Sequence, residues 1–101
     1  MIVTLPPELT IAQAAEWKPP LLAAIASGEG VLLDATAVTR ADVAGLQLLI
    51  AAKKSALAAN QRFGFKAGAR SEALDHAAEL LGLVSGSDAP EELLWRETYH
   101  D

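Results

Sequence analysis

Val31-Leu32-Leu33-Asp34 puts apolar side chains on both faces of any strand it forms, and this run limits what the chain can become. Successive strand side chains point to opposite faces, so a strand without a polar face needs cover above and below. Two glycines, Gly28 and Gly30, punctuate the chain just before it. The run therefore belongs at the centre of a sheet flanked by helices. The chain supplies such a helix next: Asp42 offers a side-chain cap to the free amides of a helix from about Val43 to Ala59, with Asn60 at its end.

The remaining punctuation extends this alternation. Met1 to Leu5 is a short apolar strand stopped by Pro6-Pro7, because proline donates no ladder hydrogen bond. Thr10-Ile11-Ala12-Gln13 has the form of a capping box, with the threonine hydroxyl and the glutamine side chain each satisfying the other's free amide. The helix it opens meets Pro19-Pro20, which predicts a kink or restart before the stretch Leu21 to Ser27 that Gly28 ends. Arg62 to Ala67 alternates, Phe63 and Phe65 on one face and Gly64 and Lys66 on the other, as in a half-exposed strand. Ser71 caps a helix whose Leu74, Ala77, Ala78 and Leu81 share a stripe, and Gly82 stops it. Leu83-Val84 predicts a last short strand, Ser85 to Asp88 a turn, and Pro90-Glu91-Glu92 a final helical stretch through Trp95, with fraying expected after Arg96. Strands alternating with helices imply crossover connections and parallel pairs.

Composition narrows the function. With 101 residues, 51% of them hydrophobic and only five aromatic, the chain makes one domain, residues 1–101, with a core of Leu, Ile, Val and Ala. The net charge is -5, and no basic run exceeds Lys53-Lys54, so no phosphate-tracking surface exists and nucleic acid is not an expected partner. Absence of cysteine excludes disulfides, thiol catalysis and thiolate metal sites. The longest apolar stretch, Val43 to Ala52, is interrupted by Gln47 and is too short to span a bilayer. The first residues carry neither a basic leader nor a signal core, so a cytoplasmic location without membrane insertion is expected.

The run Val31 to Ala35, followed after a loop by Asp42-Val43-Ala44-Gly45-Leu46-Gln47-Leu48-Leu49, resembles the STAS domain family, named for sulfate transporters and anti-sigma-factor antagonists. Echoes lie in Glu8-Leu9-Thr10, in Ser71-Glu72-Ala73-Leu74 and in Leu81-Gly82-Leu83, leaving a tail from about Asp88 outside the pattern. The resemblance implies an α/β fold: a small mixed β-sheet of about four to five strands flanked by helices. It also implies a switchable binding module that is not an enzyme. In the anti-sigma-factor antagonists the motif reads Asp-Ser-x-Gly-Leu, and a kinase-like anti-sigma factor phosphorylates the hydroxyl after the Asp. That position is Val43 here, which has threonine's shape and no oxygen. Ala44 also lacks a hydroxyl, and the nearest candidate, Thr39 on the loop, is a poor replacement. The implied function is a regulatory module that docks an anti-sigma factor or histidine-kinase-like protein without the usual phosphorylation switch. The alternative is a cytoplasmic accessory subunit of an ABC-type lipid transporter, docking its ATPase. Small STAS subunits of that kind carry Asp-Thr-Ala-Gly-Leu, which differs from this motif only in the Val for Thr.

The candidate binding residues span the loop and helix: Thr39, Arg40, Asp42, Val43, Ala44, Gly45, Gln47, Ile50 and Lys54. Asp42 is either a functional carboxylate or the helix N-cap, the cap being the plainer role. Gly45 either admits a close backbone approach or is simply a small residue packed on the sheet. A helical projection puts Leu46, Leu49 and Leu57 in the core and leaves Val43 and Ile50 as an exposed apolar patch beside Gln47 and Lys54. No catalytic group is expected, since nothing in the sequence joins Asp34 to Asp42. His76 beside Asp75 and Glu79 has metal-like spacing but reads as a solvated face, so neither metal nor cofactor is expected. Gly64, Gly68, Gly82 and Gly86 form no phosphate-binding loop. Trp17 and Trp95 either anchor a dimer or cover the core, which leaves a homodimer open.

Overall fold

The structure, a computed structural model, describes residues 1–81, Leu94, Thr98 and Tyr99. Its elements run β1 (Ile2–Thr4), β2 (Glu8–Leu9), α1 (Ile11–Ala26), β3 (Val31–Asp34), β4 (Arg40–Ala41), α2 (Val43–Ala58), β5 (Phe63–Lys66), α3 (Glu72–Leu81) and β6 (Thr98–Tyr99). Four strands form one sheet in the order β1-β3-β5-β6, and β2 pairs with β4 in a separate two-stranded ladder. This is the expected α/β class. Every strand pair among the described residues is parallel. Parallel neighbours need a crossover between them, and here α1 connects β2 to β3 while α2 connects β4 to β5.

The apolar run at Val31 takes the interior position its sequence demands. Val31 and Leu33 are fully buried in a core shared with Phe63 and Phe65, while Leu32 is buried on the opposite face. The register Val31↔Phe63 and Leu33↔Phe65 stacks the four side chains. The half-exposed strand expected at Arg62 to Ala67 is instead an interior one: Phe63, Gly64 and Phe65 are all buried, because β3 and β6 flank it. Beyond it, β6 replaces the expected frayed end. It pairs Phe65↔Thr98 and Lys66↔Tyr99, a long-range contact that no local signal encodes. Apart from Leu94, which is helical and buried, the strand, turn and helix expected between Leu83 and Trp95 lie outside the described residues.

Helix α1 runs unbroken through Pro19 and Pro20, in contrast to the expected restart. Each proline removes one N–H, from the carbonyls four residues earlier at Ala15 and Glu16. Both of those residues are exposed, so water can satisfy the freed carbonyls. Packing of Leu21, Ala24 and Ile25 in the core, with Trp17 partly buried against it, holds the helix together. At its start the Gln13 side-chain oxygen accepts from the Thr10 amide (3.1 Å) and from the Thr10 hydroxyl (2.7 Å). The expected capping box between Thr10 and Gln13 is present, and the hydroxyl also donates to the glutamine oxygen.

The buried arc of α2 differs from the sequence projection. Leu46 and Leu49 are core as expected, but Ile50 is 8% exposed and belongs there too, whereas Leu57 is 43% exposed. Helix α2 packs against α1 on one side and α3 on the other, which widens the arc it buries. Its last turn emerges from that cover at Leu57. Lys53 falls inside the arc and is the one charged side chain buried among the described residues, at 2% exposure. Its Nζ donates to the Phe63 carbonyl at 2.6 Å and lies 5.9 Å from the centre of the Tyr99 ring.

Candidate functional site

The junction ahead of α2 is assembled from segments about thirty residues apart in sequence, and the β2–β4 ladder joins them through Glu8↔Arg40 and Leu9↔Ala41. The chain leaving β1 is thereby fixed to the chain entering α2. The amides of Thr39 and Arg40 donate to the Pro7 carbonyl at 2.7 and 3.2 Å, and the Asp42 amide donates to the Leu9 carbonyl at 3.3 Å. An exposed ion pair, Arg40 Nη1 to Glu8 Oε2 at 2.8 Å, spans the ladder. At such exposure it adds little stability, typically about 0–1 kcal/mol.

Asp42 does more than the single cap its position suggests. One carboxylate oxygen accepts from the Gly45 amide at 2.8 Å, the N-cap bond of α2. The other accepts from the Ile11 amide at 3.1 Å, in the first turn of α1. A single carboxylate therefore closes the N-termini of two helices, satisfying donors that helix geometry leaves free. Donation from the Gly45 amide, reinforced by Ile11, holds the Asp42 carboxyl below its ordinary range. Asp34 is likewise held low, chiefly by the Thr36 hydroxyl (2.7 Å) and then by the Thr36 amide (3.1 Å), a turn at the strand end.

Gly45 is decided in favour of a close backbone approach. A Cβ at this position would collide with the Leu9 carbonyl oxygen and stand 2.7 Å from the Leu9 carbonyl carbon. Only glycine lets α2 lie this near β2. The remaining candidate residues separate by exposure. Thr39, Arg40, Gln47 and Lys54 are exposed, Asp42, Val43 and Ala44 are half-buried, and Gly45 and Ile50 are buried. The exposed apolar patch expected from Val43 and Ile50 is therefore not formed, since Ile50 turns into the core.

Thr39, Arg40 and Asp42 do come together, along an open groove of ≈ 540 Å³. Thr10, Ile11, Ala73 and His76 also line it, and none of these was a binding candidate in the sequence. They arrive from α1 and α3, so only packing reveals them. The Thr39 hydroxyl donates to the Pro7 carbonyl at 3.3 Å. Thr39, Ala73 and His76 also belong to a second groove that runs past Glu72, Asp75 and Glu79 on α3. Among the described residues, no group of three His, Asp or Glu side chains is placed to hold a metal ion. No helix among them is long and apolar enough to cross a membrane.

Fold and junction define a small parallel α/β domain that presents the doubly capped start of a helix at its surface. A family model described as "Mlab, STAS domain" matches residues 1–85, and the chain belongs to the STAS domain family. No curated protein matches the chain. STAS domains are anti-sigma-factor-antagonist-like or transporter-associated modules, generally non-catalytic, that act through protein–protein contacts.

Proposed function

We propose that this chain is a non-catalytic docking module that captures an anti-sigma factor or histidine-kinase-like protein through the junction and exposed flank of α2, in one permanent charge state. Val43 carries the reading. It occupies the first turn of α2, where its antagonist relatives place the phosphoacceptor, and it is half-buried and has no oxygen to modify. A phosphate at a helix start adds nearly two negative charges and remakes the contact surface. Without an acceptor that switch is lost, and the surface stays as the doubly capped junction sets it. Thr39, Arg40, Asp42, Val43, Ala44, Gln47 and Lys54 form the proposed contact region. Gly45 and Ile50 support it from within.

Capture of partners from the native cytosol by wild type and by Val43→Glu tests the proposal. Wild type should retain a kinase-like protein, and the glutamate, a charge where relatives carry phosphate, should reduce that capture with the melting temperature preserved. Equal capture by the two proteins would count against the junction, and labelled phosphate appearing in the first turn of α2 would end the single-state reading.

A second reading is favoured by the motif itself. Asp42-Val43-Ala44-Gly45-Leu46 differs in one residue from the Asp-Thr-Ala-Gly-Leu of small transporter STAS subunits. Copurification of an ABC ATPase in place of a kinase-like protein selects it.

A further inference from the structure

Helices α1 and α2 begin side by side, tied at Ile11 and Asp42, and pack along their length. Their outer surfaces leave a groove between them. A cavity of ≈ 120 Å³ opens in it, lined by Leu21, Leu22, Leu48, Ala51 and Ala52, with Lys18 on its rim. An apolar cavity of about 150 Å³ accommodates a benzene ring, so this one has room for a single leucine-sized side chain. Leu22 is 41% exposed at its edge. Helical steps of three and four residues lead back along the same faces from Lys18 to Ile11 and from Leu48 to Ala44. Ile11 is the most exposed large apolar residue among those described, at 74%. The cavity itself is bounded by Lys18 and Leu48 at this end, short of the junction.

Charge selects its occupant. Lys18 is the only ionised side chain lining the cavity, and among the described residues it makes no ion pair. Glu16, two residues earlier, lies on a different face of the helix. The acidic groups Glu72, Asp75 and Glu79 belong to α3, which packs on the other side of α2. A helix carrying an apolar stripe presents side chains at i, i+3, i+4 and i+7, one of which can enter such a cavity while its neighbours lie against Leu22 and Ala51 on the rim. A carboxylate on its flank would meet Lys18.

We infer that the α1–α2 groove is a second docking site, which takes an amphipathic, acid-flanked helix of the protein partner, with one leucine-sized side chain seated between Leu22 and Leu48. The inference draws on the docking reading above only in treating the occupant as part of the same partner.

Fluorescence anisotropy with the full chain tests it, using two labelled peptides of about 20 residues, long enough to be helical. Both carry the same leucine stripe, one flanked by glutamate and the other by lysine. The glutamate peptide should bind several-fold more tightly than the lysine peptide, and Lys18→Glu should reverse that order. Ala51→Glu, at an exposed position, should weaken binding by about tenfold or more with the circular dichroism unchanged. Val43→Glu should leave peptide binding unchanged, so loss of the junction and loss of the groove are read separately. Binding of neither peptide, equal binding of both, or insensitivity to Ala51→Glu would each overturn the inference. So would concentration-dependent self-association that Ala51→Glu abolishes, which would assign the groove to a second copy of this chain.

Discussion

Replacing Gly45 by alanine sets two physical effects against each other. In an isolated helix the change is favourable by about 1 kcal/mol, since glycine is much the poorer helix former. In this fold the new Cβ would strike the carbonyl of Leu9, 2.7 Å from its carbon. Neither atom can rotate away, because both are backbone of β2. Relief requires α2 to move off the ladder, straining the Asp42 amide to Leu9 carbonyl bond (3.3 Å) and the Ile11 amide to Asp42 bond (3.1 Å). Overpacking costs roughly 1–3 kcal/mol and each weakened bond about 1 kcal/mol. After the gain in helix propensity, the net loss is about 2–4 kcal/mol. Each kcal/mol shifts the midpoint of a domain this size by roughly 4–8 °C, so thermal melting followed by circular dichroism should fall by about 10–30 °C. Urea titration should give the same free-energy loss with an unchanged slope. A Gly45→Ala protein as stable as wild type, or more so, would refute the close approach, because propensity would then be the only effect operating.

Asp42→Asn leaves one oxygen for two amide donors and should cost about 1 kcal/mol, while Asp42→Ala removes both bonds and should cost about twice that. Equal losses in urea titrations of the two variants would contradict the double cap. The same carboxylate predicts acid sensitivity. Its folded-state pKa lies below the ordinary 3.8, so its stabilisation is complete above that value and disappears as the pH falls through the lowered one. The stability gap between wild type and Asp42→Asn should therefore close in acid, and a gap constant from neutral pH down to pH 2 would refute the assignment. Lys53→Met keeps the buried stem but withdraws the donor from the Phe63 carbonyl, and should cost about 1–3 kcal/mol. An unchanged urea midpoint would mean that desolvation of the ammonium offsets its bonds.

The elements of this fold were legible wherever near neighbours decide the backbone. The apolar run at Val31 predicted an interior strand, and Asp42 and Ser71 predicted the starts of α2 and α3, because caps and strand faces depend on residues only a few positions away. The motif from Asp42 to Leu46 placed the junction for the same reason. Other features depend on which distant segment arrives, and local patterns carry no record of that. Pro19 and Pro20 spoil helix bonds wherever they stand, yet α1 continues because core packing on one side and water on the other compensate. Ile50 and Leu57 have similar local signals, but α1, α3 and the sheet cover one and not the other. Lys53 is buried because the Phe63 carbonyl and the Tyr99 ring stand where its ammonium ends. Sequence alone established a capped helix after a central strand, with no hydroxyl at Val43. Only tertiary structure decided that Asp42 closes two helices and that Gly45 must be glycine, since both depend on β2 and the start of α1 lying against α2.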